Sequence, residues 1–378
     1  MLRKAVIGLQ FGDEGKGRVV SQLCRNAAEL GQFPYVIRYS GGGQAGHRVV
    51  HDGKDHIFSN FGSGTFSGAT TVWTRNCPFS PAAFLTERSV LSCKGVKPHV
   101  VIDPECPVVL PGDVARSIQV ARATGNGSVG VGIGAALERE EQHYSLRVKD
   151  CFYLPVFEAR LQSVTAYYAE LGIFNDPVES HALRNIVVSL YKDKFVDFIK
   201  IPDLGYPSKT VHVYESSQGV LLDKDKGFFP HVTRSSVGYG AIGEKMDKVI
   251  YVTRAYQTRH GPGFMTNENI PHNIRNPQDD IYRDCDNSYR GEFRTALLDL
   301  DLLLYALRAD RPPDGVEVEL AVTCTDQIRD DLRMTHAGEV KTFGTLNEFL
   351  SYIQTFTGLP IMYTASPDTA SGLITFKG

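Results

Sequence analysis

The chain has 378 residues, 42% of them hydrophobic and 22% charged, a composition inside the range of ordinary globular proteins. Lys and Arg number 40 against 43 Asp and Glu, so the formal charge of -3 offers no basic field for a nucleic-acid backbone, and no nucleic-acid partner is expected. Seven scattered cysteines without a C-x-x-C pair oppose a disulfide framework and a Cys-rich zinc site. No apolar stretch approaches the ~20 residues that cross a bilayer. Met1-Leu2-Arg3-Lys4 leads into a strand-like run without a signal-peptide core, so a cytoplasmic protein with no membrane partner is expected.

The opening reads strand, glycine loop, helix. Ala5-Val6-Ile7 is a short β-prone run, residues 8–17 form the loop, and Val19, Val20 and Leu23 share a helical face. A second strand, Tyr35-Val36-Ile37-Arg38-Tyr39, enters another glycine loop that closes at His47. Further strands are expected at 100–102, 211–214, 249–252 and 316–322, with helices over 152–171, 179–199, 295–309 and 345–357. Continuous apolar strands alternating with helices predict an α/β fold: a large, mainly parallel central sheet flanked by helices, P-loop-NTPase-like, with smaller excursions. Pro and Gly are spread rather than gathered in a linker, so residues 1–378 are read as a single domain.

Gly12-Asp13-Glu14-Gly15-Lys16-Gly17 lies between a strand and a helix. Glycines there let backbone N–H groups turn toward an anion, the helix N-terminus adds positive potential, and Lys16 supplies a point charge. The plain alternative is a tight turn with exposed charges. Walker A spacing is absent, because Gln10 takes the first glycine position and Gly17 follows the lysine where Ser or Thr would hold magnesium. Asp13 is then the carboxylate available to a metal. Two glycine loops, each ending an expected strand, put Asp13 and His47 on the sheet edge where open α/β sheets bind ligands. Together they offer a base and a hydrogen-bond donor for phosphoryl transfer.

Residues 8–17 and Gly41-Gly42-Gly43-Gln44-Ala45-Gly46-His47 resemble the two signature loops of adenylosuccinate synthetases. Similar segments follow in order: 128–134 with Leu146-Arg147-Val148, Glu215-Ser216-Ser217-Gln218-Gly219, Pro230-His231-Val232-Thr233, Thr258-Arg259-His260-Gly261-Pro262-Gly263, and Leu359-Pro360-Ile361 with Ser366-Pro367-Asp368. The resemblance implies a C–N ligase that joins L-aspartate to a purine nucleoside monophosphate through a 6-phosphoryl intermediate, driven by a nucleoside triphosphate. It implies Asp13 as base and His47 as transition-state hydrogen-bonding partner. Mg2+ would lie between Asp13, the Gly46 carbonyl and the triphosphate. Gln44, Ser128, Arg147, Gln218 and Thr233 would contact the acceptor nucleotide, Asp326, Ser366 and Pro367 the donor base, and a homodimer is implied.

Four departures shape the finer expectations. Thr323-Cys324-Thr325-Asp326 lacks the lysine of the family's Thr-Lys-Leu-Asp, which points to an adenine donor, ATP or dATP. An ungapped reading puts His143 where the family has an arginine reaching the partner subunit's nucleotide phosphate, leaving Arg139 or Arg147 to replace it. Residues 289–294 replace Gly-Arg-x-Arg-Arg, leaving Arg290 and Arg294 to clamp the aspartate carboxylate. The chain is also shorter than the usual bacterial enzyme. Phe61-Gly62-Ser63-Gly64-Thr65, with the 290–294 segment, looks more like the phage branch that makes 2-aminoadenine nucleotides, whereas Asp13 is typical of the IMP enzymes. The expected acceptor is therefore dGMP, giving N6-succino-2-amino-dAMP, in host cytoplasm if the source is viral. The alternatives are IMP with GTP, a dual-specificity enzyme, or, in another class, a nucleotide-binding regulator without ligase activity.

Overall fold

The computed structural model describes residues 2–124, 130–200, 204–275, 291–364 and 372–376. In chain order the strands are β1 (Leu2–Gly8), β2 (Phe33–Arg38), β3 (His47–His51), β4 (Lys54–Phe58), β5 (Thr70–Trp73), β6 (Val100–Ile102), β7 (Val196–Phe198), β8 (Thr210–Gly219), β9 (Lys248–Arg254), β10 (Tyr256–His260), β11 (Phe293–Asp299), β12 (Glu317–Thr323), β13 (Arg333–His336), β14 (Glu339–Thr342), β15 (Ile361–Tyr363) and β16 (Ile374–Thr375). The helices are α1 (Lys16–Glu29), α2 (Pro81–Cys93), α3 (Pro111–Thr124), α4 (Ile133–Glu141), α5 (Leu154–Glu170), α6 (Pro177–Leu190), α7 (Leu300–Ala309) and α8 (Leu346–Thr357). Among the described residues no helix is long and apolar enough to cross a membrane.

The central sheet runs β16-β15-β12-β9-β1-β8-β2-β5-β6-β7, with every neighbouring pair parallel except β15 and β16. Its strands are apolar on both faces because both are covered. Val6, Ile250, Val252 and Ala321 pack with Val19, Val20 and Cys24 of α1. Their alternates Ala5, Ile7, Val249, Tyr251, Leu320 and Val322 pack on the other face with Leu303 of α7 and Phe349, Leu350 and Ile353 of α8. A second core joins Trp73, Val100, Ile102 and Val196 to apolar residues of α2, α5 and α6. This bears out the expected fold class.

Two expected helices are corrected. The helix expected over 179–199 ends at Leu190, and Val196–Phe198 becomes β7 beside β6. The Asp193 carboxylate accepts from Phe195 N (2.9 Å), turning the chain from helix into sheet edge. The helix expected over 295–309 starts at Leu300, because residues 293–299 form β11, paired with β10 and β13. Asp299 caps the helix, its side chain accepting from Leu302 N at 3.1 Å.

Two smaller sheets sit at the edge that matters for function. β3 and β4 form a hairpin turned by Asp52 and Gly53, at φ 48° and 76°, the left-handed pair that a two-residue turn of this kind requires. β10 leaves β9 through Ala255 and opens the sheet β10-β11-β13-β14, carrying His260 back over the carboxyl end of β1.

Candidate active site

The carboxyl ends of β1, β2, β8, β9 and β12 share one edge of the sheet, and β1 lies where the connections diverge, toward β2 on one side and β12 on the other. Ligands of open α/β sheets bind in such crevices. The loop from β1 to α1 turns through left-handed residues Gly12 (φ 86°), Asp13 (φ 56°) and Gly15 (φ 81°), and Gly15 caps α1. Asp13 therefore holds a conformation that disfavours most side chains.

Glu14 folds into the protein, not toward solvent. Its fully buried carboxylate accepts from Gln10 N (2.9 Å), Gly12 N (3.1 Å) and Lys16 Nζ (2.5 Å). The slot exists because Gly8 and Gly219, paired across β1 and β8, carry no Cβ; one built there would lie 2.3 Å and 2.2 Å from the Glu14 oxygens. Lys16 is drawn into the same network: its ammonium, on a side chain 2% exposed, is matched to Glu14. The α1 N-terminus adds its own positive potential to the loop.

His47 opens β3 against the first turn of α1, where a Cβ on Gly17 would lie 2.8 Å from the His47 Cβ. The two glycine loops interlock at that point. His47 Nδ1 is 2.7 Å from Glu215 Oε1, and its Nε2 is buried with no partner among the described residues. Glu215, fully buried on β8, also accepts from the backbone N (3.2 Å) and hydroxyl of Ser63. Burial pushes the Glu215 pKa up. The charge and hydrogen bond of His47, then Arg38 and Ser63, outweigh that and lower it to about 2.

Asp13 is half-exposed, its Oδ2 3.0 Å from His260 Nε2, and its carbonyl accepts from Arg254 Nε. Against partial desolvation by the surrounding loop, the hydrogen bond and charge of His260, with Arg254 and Lys16, hold the carboxyl well below the usual range. Gln218 and Leu222 cover Gly12, and Leu222 O accepts from Thr233 N at 2.8 Å, which brings two expected acceptor residues beside the loop. A Cβ on Gly41 would lie 2.9 Å from Gln44 Nε2, and Gln44 Oε1 is buried without a partner among the described residues. At the end of β12, the Thr323 hydroxyl donates to Glu14 O (2.7 Å) and Cys324 takes a left-handed φ of 57°. Asp326 follows, beside a cavity of about 280 Å3 lined also by Thr325, Arg329, Leu332 and Thr345.

The arginines are engaged within the chain. Arg147, partly exposed, pairs with Glu105 (2.9 Å) and Glu140 (3.1 Å). Arg139 is fully buried on Asp113 (3.0 Å) and the carbonyls of Tyr144 and Val108, so it cannot replace the family's cross-subunit arginine. Arg294 points its fork at Gly261 O, Gly263 O and Glu268, so it braces the 261–263 turn instead of presenting a free clamp. Ser128, Arg290, Ser366 and Pro367 lie outside the described residues. Sequence reasoning gave no role to Glu215, Ser63 or His260; their contacts are tertiary, His47 and Glu215 being 168 positions apart.

Among the described residues no group of three His, Cys, Asp or Glu forms a protein cage. Oxygen donors such as the half-exposed Asp13 carboxylate are of the type a hard cation accepts when its other ligands are phosphate oxygens and water.

The ten-stranded, mostly parallel sheet, with a glycine loop leading from its central strand into a helix N-terminus, defines the class: α/β proteins of open parallel-sheet type with a crevice at the carboxyl edge. Residues 5–327 match the profile of the adenylosuccinate synthetase family, and the chain belongs to that family. It is 33% identical to the adenylosuccinate synthetase of Alteromonas mediterranea over 279 residues, covering 68% of this chain and 63% of that protein. The match to the Colwellia psychrerythraea adenylosuccinate synthetase is 33% over 278 residues, with the same coverage, so the chain spans less than two thirds of these relatives' length. The structure resembles fully ligated adenylosuccinate synthetase from Plasmodium falciparum (TM-score 0.77, 17% identity, 99% of both chains). It also resembles cyanophage S-2L succinoaminodeoxyadenylate synthetase bound to dGMP and dATP (TM-score 0.64, 14% identity, 100% of this chain and 96% of that one). At those identities the likeness is one of fold, and the two relatives named at 33% identity are bacterial adenylosuccinate synthetases, not members of the phage branch expected from the sequence.

Proposed function

We propose that this chain joins L-aspartate to IMP at the expense of GTP, as a homodimer. One observation carries the reading: an anionic Asp13 and a His47 whose Nε2 has no partner among the described residues stand on interlocked loops at the sheet edge. The bacterial relatives, and the acid at position 13, support IMP over dGMP.

Asp13 accepts the N1 proton of the purine, which drives electron density onto the 6-oxygen. That oxygen bonds to the γ-phosphorus as the bridging P–O bond breaks and the nucleoside diphosphate leaves. His47, through Nε2, hydrogen-bonds the charge that grows during transfer. The neutral aspartate amine then bonds to C6, gives up one of its two protons, and expels the 6-phosphate, leaving a secondary amine. Asp13 and the Gly46 carbonyl would hold Mg2+, which would neutralise triphosphate charge. Gln218 and Thr233 orient the acceptor from beside Gly12.

A second reading, dGMP as acceptor with ATP or dATP as donor, is favoured by Cys324. It removes the long aliphatic cover and charge a lysine would lay on the donor base, and the Asp326 carboxylate accepts from an adenine 6-amino group as well as from guanine. The test is aspartate-dependent product formation with Mg2+, comparing IMP, GMP and dGMP against GTP, ATP and dATP at equal low concentrations. IMP with GTP is expected to be fastest. A dGMP rate above the IMP rate returns the second reading, and no product from any pair leaves a nucleotide-binding regulator.

A further inference from the structure

Glu215 is a carboxylate where a parallel sheet would ordinarily place an apolar side chain. It sits on β8 between β1 and β2, two residues beyond Val213 of the α1-facing core, with no exposed surface. Burying a charge there is unfavourable unless partners compensate it. Its hydrogen-bond partners come from two residues: Oε1 takes His47 Nδ1 and the Ser63 hydroxyl, and Oε2 takes the Ser63 backbone N–H. Ser63 is itself fixed. Fully buried Arg38, on the adjacent strand, donates to Ser59 O (3.0 Å), Phe61 O (3.3 Å) and Gly42 O (3.2 Å). That guanidinium ties the segment bearing Ser63 to the glycine loop bearing His47. Glu87 holds the same segment from outside, accepting from Asn60 N (2.6 Å) and Ser59 N (3.1 Å).

We infer that Glu215 is the positioning residue for His47, anchored by Ser63. The hydrogen bond at Nδ1 fixes the ring's tautomer and angle, and so decides what Nε2 presents to the transferring phosphoryl group. A purely structural ion pair would bind both ends of its histidine or leave the far end in water. Here the far nitrogen is buried and unpartnered among the described residues, as expected of a group held ready for a substrate atom. The inference rests on the reading that His47 acts in phosphoryl transfer.

The test is a double-mutant cycle with an independent spectroscopic arm. Glu215→Gln keeps the shape and removes the charge. It is expected to lower kcat roughly tenfold to a hundredfold, the cost typical of losing the partner that orients a functional histidine, with nucleotide KM within about threefold. If Glu215 acts through His47, the double variant His47→Asn/Glu215→Gln is no slower than His47→Asn alone. Ser63→Ala, which leaves the buried charges balanced, gives a smaller fall in kcat with KM unchanged, and near-ultraviolet circular dichroism checks that each variant folds. In 15N-imidazole NMR, a downfield Nδ1 proton that disappears in His47→Asn should also be lost or shifted in Glu215→Gln. Multiplicative losses in the double variant, or an unmoved Nδ1 resonance, overturn the inference. If the wild type makes no aspartate-dependent product, the ligase reading fails while the NMR arm still decides the role of Glu215.

Discussion

Lys16 distinguishes two accounts of the glycine loop. If its ammonium belongs to Glu14, Glu14→Gln leaves a positive charge on a side chain 2% exposed with a neutral neighbour. Gln keeps an oxygen for Gln10 N and Gly12 N, so the loss falls on the charge pair. Breaking a buried pair from one side costs ~3–5 kcal/mol. For 378 residues the unfolding entropy is ~0.8 kcal/mol/K, so Tm should fall by about 4–6 °C. Lys16→Met should fall similarly, and Glu14→Gln/Lys16→Met should recover most of the loss, since neither charge is then left alone. Differential scanning calorimetry reads the stability arm, and titration with a non-hydrolysable nucleoside triphosphate reads the binding arm. A Lys16→Met variant that keeps its Tm within about 1 °C but loses triphosphate affinity tenfold would refute the reasoning and give the ammonium to the phosphate.

Asp13→Ala should lower turnover by at least the ~10²-fold typical of a lost general base, read in single-turnover assays; a near-normal rate removes its assigned role. His260→Val frees Asp13 Oδ2 from its 3.0 Å partner, so the Asp13 pKa should rise toward the ordinary carboxylate range and the acid limb of kcat/KM should move to higher pH, which a pH–rate profile checks. Because the Glu215 pKa drops from 4.5 to about 2 on folding, its contribution to stability is complete above pH 4.5 and lost as pH falls toward 2; Tm should decline more steeply across that window in wild type than in Glu215→Gln, and parallel slopes would contradict it. Arg139→Met, which leaves buried Asp113 without its 3.0 Å partner, should destabilise by ~3–5 kcal/mol in urea unfolding. Arg147→Met, partly exposed, should cost under ~1 kcal/mol.

The strands of the sheet centre were legible because burial on both faces leaves unbroken runs such as Ala5-Val6-Ile7 and Val249-Ile250-Tyr251-Val252. β7 was not, since three residues at a sheet edge carry no run, and the helical pattern of α6 read straight through it. The start of α7 had a local signal in Asp299, but Ala296-Leu297-Leu298 suits strand and helix alike until β10 and β13 are beside it. Asp52-Gly53 is a local signal for the hairpin that displays His47. In the site, Asp13, His47, Gln44, Gln218 and Thr233 stood on motifs that the sequence could display. Glu215 lay inside a quoted motif without a role, because its meaning depends on β8 passing beside the loop after β2. The intrachain partners of Arg139 and Arg294 were not legible, because a guanidinium reads the same in sequence whether it meets a substrate or a carbonyl of its own chain.

The strand order also governs what the ribosome must finish before the site exists. β1 and β2 emerge within the first 38 residues, yet they never touch as neighbours; β8, beginning at Thr210, lies between them. At ~5–20 residues per second, the first strand waits roughly 10–40 s for its partner, with its edges unpaired. The glycine loop waits with it, because the slot for Glu14 is closed by Gly219 on that late strand. Chains truncated before Thr210 should therefore yield no soluble amino-terminal half, whereas a nick in a surface turn of the finished protein should leave the site assembled.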